Sequence, residues 1–278
     1  MSTPLLTAKN VTKRFGGLAA VSGLNIEVNA GELVGLIGPN GAGKTTVFNL
    51  LTGVYDPTEG DINFDGNLIN PLKPYQVATL GMARTFQNVR LFRELTSLEN
   101  VKIASHLRTK AGLGSAIFRT RKVLSNDAAL EETSRHLLKK MRLDHVADTK
   151  SGDLAYGLQR RLEIARALAT NPKLLLLDEP AAGMNPQEKQ ELRELIREVR
   201  SEFDLTVILI EHDMKVVMGI CERIYVLDYG QIIAHGSPTQ IQKDPKVIAA
   251  YLGQETETGS ADVESANDLQ VATSGSTV

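Results

Sequence analysis

Gly38-Pro39-Asn40-Gly41-Ala42-Gly43-Lys44-Thr45-Thr46 is the stretch on which the fold turns. It follows Leu33-Val34-Gly35-Leu36-Ile37, a mostly apolar run suited to a parallel strand buried on both faces. It leads directly into a helical stretch. The pattern G-x-x-x-x-G-K-[ST] between strand and helix is the context in which backbone amides turn inward around phosphate oxygens. The following helix offers its positive end to the same anion. In such a cradle Lys44 reaches the β- and γ-phosphates, and Thr45 places its hydroxyl on Mg²⁺. A glycine-rich turn serving chain geometry alone would need neither the lysine nor the threonine.

Working outward, Leu24–Val28 and Asp61–Asp65 alternate apolar and polar residues, the period-two pattern of half-exposed strands. Strand-like runs return at Lys173–Leu177, Leu205–Ile210 and Ile224–Leu227. Between the first two, Leu192, Leu195, Ile196 and Val199 share one helical face, with Asn185 and Pro186 as cap and first turn. Strands alternating with helices predict an α/β fold, a parallel sheet with helices packed on it. From Ser97 to Arg142 strand signals stop and apolar residues recur at helical spacing, which predicts a mainly helical insertion. After Gly253 the composition turns to Glu, Thr, Ser, Gly and Asp, so 254–278 is predicted to be a disordered acidic tail.

Composition narrows the function classes. The chain has 278 residues, 42% of them hydrophobic, enough for a sizeable core. With 31 basic against 33 acidic residues and a pI near 6.2, it lacks the basic field that a nucleic-acid partner requires. A single cysteine, Cys221, rules out an internal disulfide and fits a reducing compartment. The first nine residues carry no secretory pattern, and no apolar run approaches the roughly 18 to 20 residues of a spanning helix.

A second chemical element stands at Leu174-Leu175-Leu176-Leu177-Asp178-Glu179. A buried strand that ends in two acids can bring Asp178 to a metal shell and Glu179 to an attacking water. Taken alone, such a pair is usually a solvated strand end; downstream of a phosphate loop the catalytic reading is the stronger one.

These residues together resemble the nucleotide-binding subunits of ABC transporters, over nearly all of Leu5 to Gly253. The resemblance implies a P-loop NTPase core with a parallel sheet, an N-terminal antiparallel β-subdomain, and a helical subdomain at about 95–165, within a domain spanning 1–253. It implies that Phe15 stacks on adenine, and that Gln87, in Arg84-Thr85-Phe86-Gln87-Asn88, touches metal and water. His212, in Ile210-Glu211-His212-Asp213, matches the switch histidine that contacts the γ-phosphate and supports Glu179. Leu154-Ala155-Tyr156-Gly157-Leu158 occupies the place of the family signature, normally Leu-Ser-Gly-Gly-Gln, which caps the ATP held by the opposite protomer. Ala155 brings no hydroxyl, and the loss of one charge-assisted hydrogen bond costs on the order of 1.5–3 kcal/mol. Amides near Gly157 remain, while nothing in the sequence explains Leu158. Ala182-Gly183-Met184-Asn185 lies where the family's dimer-crossing loop does, with Asn185 in the usual aspartate position.

The resemblance further implies ATP and Mg²⁺, a second ATPase subunit that is either a copy or a paralogue, and integral-membrane permease subunits contacted near Asn88–Phe92, with Leu91 and Phe92 as apolar candidates. A periplasmic or extracellular binding protein would act indirectly, and the chain would sit on the cytoplasmic face of the inner membrane. Tyr156-Gly157, Gln159–Arg166, Asp178–Pro186 and Ala250-Tyr251-Leu252-Gly253 look most like branched-chain amino-acid importer subunits. Urea or amide importers, lipopolysaccharide exporters, a non-transport ABC ATPase and a non-catalytic nucleotide binder are the other readings.

Overall fold

A computed structural model describes residues 3–106 and 121–252. The predicted tail and part of the helical insertion lie outside these residues. In chain order the strands are β1 (Leu6–Phe15), β2 (Leu18–Val28), β3 (Leu33–Ile37), β4 (Glu59–Phe64), β5 (Asn67–Leu68), β6 (Met82–Arg84), β7 (Leu174–Asp178), β8 (Thr206–Ile210), β9 (Arg223–Asp228) and β10 (Gln231–Gly236). The helices are α1 (Lys44–Leu51), α2 (Pro74–Thr79), α3 (Ser97–His106), α4 (Arg121–Lys140), α5 (Tyr156–Ala169), α6 (Pro186–Glu202), α7 (Met214–Ile220), α8 (Pro238–Gln242) and α9 (Pro245–Leu252). None of the described helices is long and apolar enough to cross a membrane.

Two sheets form. One is antiparallel in the order β2-β1-β4-β5; the other runs β10-β9-β3-β8-β7-β6. In the second sheet only β10 is antiparallel to its neighbour. Every residue of β3, β7 and β8 is buried. Alternate side chains feed two different cores. Leu175, Leu177, Val207, Leu209, Ile224 and Val226 face a core completed by α5, α6 and α7. Leu174, Leu176, Ile208, Ile210, Tyr225 and Leu227 face a core shared with α1 and the antiparallel sheet. A sheet covered on both sides needs apolar residues at every position, which is why these strands read as continuous runs instead of alternating. Each fully buried leucine contributes about 2 kcal/mol.

Between Ser97 and Lys140 the described residues are helical, and Val101, Ala104, Leu137 and Leu138, with Met141 just beyond, pack into the same core as Leu162 and Leu168 of α5. Strand limits shift slightly from the sequence reading. Asp65 leaves the strand with φ 49 to turn toward β5, while Arg223 and Asp228 extend β9.

The expected face of α6 is the buried one: Leu192, Leu195, Ile196 and Val199. Asn185 caps it, accepting from the Glu188 amide at 3.0 Å while Glu188 Oε2 accepts from the Asn185 amide at 2.9 Å. This reciprocal pair gives Asn185 a structural use at the position where the family usually has aspartate. Asn185→Ala is therefore expected to lower stability by about 1 kcal/mol, whereas Asn185→Asp, an equivalent cap, should leave it nearly unchanged. Urea midpoints of the three proteins check this; equal losses in both variants would contradict it.

Candidate functional site

The loop between β3 and α1 is pressed against two backbones. A Cβ on Gly38 would sit 1.9 Å from the Leu227 carbonyl oxygen, and one on Gly43, whose φ is +102, would lie 2.7 Å from that of Ala20. Only glycine fits at either place. The Gly230 amide donates to the Ala42 carbonyl at 2.9 Å, fixing the loop to the β9–β10 turn. Lys44 is buried, and its ammonium donates to the Gly38 and Pro39 carbonyls at 2.6 and 2.8 Å. It thus lies folded over its own loop, while Asn40, Gly41 and Thr45 are exposed. A glycine-walled loop with an inward lysine and a helix start fits a polyphosphate.

The second group gathers where strands end. Glu179 follows β7 with φ +46, a strained value for a side chain with a Cβ, and its amide donates to the Ile210 carbonyl of β8 at 2.9 Å. Gln87 Nε2 donates to Glu179 Oε2 at 3.0 Å, and His212 Nδ1 lies 3.8 Å from Glu179 Oε1. Three side chains drawn from distant parts of the sequence thus converge. The facing His212 imidazole, helped by the Gln87 amide, holds the Glu179 carboxyl below its ordinary value against the opposing effect of burial. Glu179 in turn raises His212 above the usual imidazole range.

Asp178 is buried and paired with Arg84 at 2.7 Å. Arg84 also donates to Asn49 Oδ1 of α1 at 2.6 Å, so the acid is tied to the helix that follows the phosphate loop. No group of three or more His, Cys, Asp or Glu side chains among the described residues could hold a metal. Thr45, Asp178 and Gln87 supply one hydroxyl, one carboxylate and one amide. That set fits Mg²⁺ only when phosphate oxygens and water complete the shell, the usual arrangement for this ion.

Sequence reasoning missed the connection between Gln87 and α5. Arg160 is 2% exposed; it donates to the Phe86 carbonyl at 2.7 Å, to the Gln87 carbonyl and to the Tyr156 hydroxyl, and pairs with Glu163 at 3.3 Å. Glu163 accepts from the Phe86 and Arg90 amides at 3.2 and 3.4 Å, and burial pushes its carboxyl up. The visible signal is an arginine and a glutamate three apart on an otherwise apolar helix face. Tyr55 was missed too. Its ring meets Phe15 edge-on at 5.2 Å, Lys13 lies over both, and Phe15 stays 45% exposed. An exposed ring held edge-on by a second aromatic offers a face for a flat ligand.

Ala155 is the N-cap of α5 and makes no side-chain cap bond. Tyr156 lies against Gly183, where a Cβ would meet its ring at 3.2 Å, and Gly157 faces Glu188. Leu158 packs partly against the core on the α5 side of the sheet, so an apolar side chain has a place there. That core lies opposite the one containing Ala42 and α1. The cap residues and the phosphate loop therefore belong to opposite faces of one sheet.

A groove of about 560 Å³ opens among α2, α3, α5 and β6, lined by Val77, Met82, Phe86, Phe92, Ile103 and Arg166 among others. Phe92 is 47% exposed there with the Arg166 guanidinium over its ring. Leu91, the other candidate, packs against the core.

Comparison with known proteins places this geometry. The family model described as "ABC transporter" matches residues 21–182, and that described as "Branched-chain amino acid ATP-binding cassette transporter" matches 231–257. The chain is 51% identical over 255 residues to the high-affinity branched-chain amino acid transport ATP-binding protein LivG of Escherichia coli, covering 91% of this chain and 100% of the relative. To the corresponding Pseudomonas aeruginosa protein, BraF, it is 49% identical over 254 residues, with the same shares. Among solved structures, the ADP conformation of MJ1267, an ATP-binding cassette of an ABC transporter, superposes with a TM-score of 0.78 at 32% identity, covering 91% of this chain and 100% of that one.

His212→Ala removes the group that lowers Glu179, so the carboxyl should titrate nearer its ordinary value. The acidic limb of the kcat/KM profile for ATP then moves to higher pH; an unmoved limb would show that His212 does not act on Glu179.

Proposed function

This chain belongs to the ABC transporter ATP-binding family, and on that premise we propose that it hydrolyses ATP for an importer of branched-chain amino acids whose permease is a separate chain. The observation that carries the catalytic part is the convergence of Gln87 and His212 on Glu179 beside the glycine-walled loop. The substrate class draws its support from the match over 231–257 and from the names of relatives that align over their whole length.

In this reading Gly38–Thr46 grips the triphosphate through backbone amides, and Lys44 exchanges the Gly38 and Pro39 carbonyls for phosphate oxygens. The adenine lies on Phe15, braced by Tyr55. Thr45, Asp178 and Gln87 would hold Mg²⁺, which when bound would offset the charge of the phosphates. Glu179, kept ionised by His212 and Gln87, orients and polarises the attacking water. His212 reaches the γ-phosphate on its other side. Ala155 and Gly157 present the start of α5 to a nucleotide held by a second subunit, since their own phosphate loop is across the sheet.

Binding two nucleotides closes two such subunits and hydrolysis reopens them. Arg160 and Glu163 transmit that motion, because they hold the backbone on either side of Gln87. The groove around Phe92 is read as the seat of a permease segment, from its exposed apolar lining. On this reading the helical subdomain spans about 95–165 and the protein works from the cytoplasmic face of the inner membrane.

Glu179→Gln should bind ATP, accumulate as a closed dimer, and lose turnover by about 100-fold or more. Gel filtration with Mg-ATP and a phosphate-release assay measure both, and undiminished turnover would refute the role. Phe92→Asp should abolish co-purification with the permease; retained co-purification would remove the groove from the reading.

A further inference from the structure

Beyond Ile210 the chain continues as Glu211-His212-Asp213, and only the middle side chain has a part in the catalytic reading above. Glu211 is 1% exposed. Its Oε1 accepts from the Ala181 amide at 2.8 Å, while Oε2 is buried without a hydrogen-bond partner. Ala181, itself 1% exposed, stands two residues after Glu179 at the start of the loop that runs through Gly183 to α6.

Asp213 reaches the far end of that loop. Its Oδ2 pairs with Lys189 of α6 at 2.6 Å, and its Oδ1 caps α7 by accepting from the Val216 amide at 3.1 Å. The Glu179 amide, bonded to the Ile210 carbonyl, supplies a third tie. The span 179–189 is thus fastened to 210–213 at three points. Glu179 lies within the fastened span, and His212 within the segment that fastens it.

A buried carboxyl is an expensive way to receive one amide. Burial drives Glu211 toward its neutral form and the nearby Glu179 charge adds to this, against the Ala181 amide, the His212 charge and, last, the Asp213 amide. An apolar residue would avoid the cost of an unpartnered oxygen but would leave the buried Ala181 donor unsatisfied. The position therefore sacrifices core stability to keep one amide in place.

We propose that Glu211 is a positioning residue for hydrolysis: by holding the Ala181 amide it makes the dimer-crossing loop and the Glu179–His212 pair move as one body. The proposal rests on the assignment of Glu179 and His212 above.

Steady-state Mg-ATP hydrolysis by the full chain tests it with Glu211→Leu, which has no acceptor, and Glu211→Gln, which keeps an oxygen for Ala181. Glu211→Leu should lower kcat about tenfold or more with KM within about threefold, and Glu211→Gln should return kcat to within about threefold of the parent. Glu179→Gln serves as the control: if it keeps turnover, the reading of Glu179 fails. If it loses turnover and Glu211→Leu does not, the proposal alone fails. Equal losses in the leucine and glutamine variants would also overturn it. Hydrogen exchange on the unmodified protein covers a leucine variant that does not fold. The Ala181 amide should exchange as slowly as those of β7, and exchange as fast as at exposed Gly183 would contradict the tie.

Discussion

The parallel strands β3, β7 and β8 are buried on both faces, and this constraint dictates where chemistry can occur. Side chains inside the sheet belong to one core or the other, so polar groups reach solvent only where strands end. At those carboxyl ends the phosphate loop leaves β3, Glu179 leaves β7 and His212 follows β8. Asp178 and Ile210 are opposite each other in the β7–β8 register, which places the two strand ends side by side. An open α/β sheet binds ligands outside the ends of its strands for this reason. The same burial assigns α1 and α5 to opposite faces of that sheet.

Much of this was legible in the sequence because it is local. The phosphate loop is nine consecutive residues whose glycines answer to contacts within the fold, and the continuous apolar runs at Leu33, Leu174 and Thr206 mark strands covered on both sides. Asp178, Glu179 and His212 stood out as candidates because each lies within two residues of the end of such a run. The parts that were not legible depend on distant partners. Tyr55 meets Phe15 across forty positions, and nothing in its own neighbourhood marks it. Arg84 pairs with Asp178 across the β6–β7 contact, while β6 itself, three residues long, is too short to show a period. Phe92 and Leu91 are adjacent and chemically alike, and only the fold sends one to a groove and the other to the core. The assignment of the terminal tail falls outside the described residues.

Charges inside the protein follow the same division. Arg160 with Glu163 and Arg84 with Asp178 are buried pairs, and such pairs seldom add net stability, although removing one member costs about 3–5 kcal/mol. Each of these pairs joins two elements: the first ties α5 to the backbone around Gln87, the second ties the end of β7 to α1. Their value lies in fixing how those elements sit against each other. The strained φ of Glu179 belongs to the same economy, since it is maintained by the Ile210 carbonyl and aims the carboxylate at Gln87 and His212.

The central claim is that a nucleotide held by the phosphate loop of one subunit is completed by the start of α5 in another. Mixing two inactive variants tests it most directly: Lys44→Ala, which loses the cradle, and Gly157→Asp, which places bulk and charge at the cap. A mixed dimer contains one site with an intact cradle and an intact cap, so ATP turnover should reappear on mixing and vary with the proportions. If the mixture stays as inactive as its components while both variants remain folded and able to associate, each site is completed within a single chain and the account is wrong.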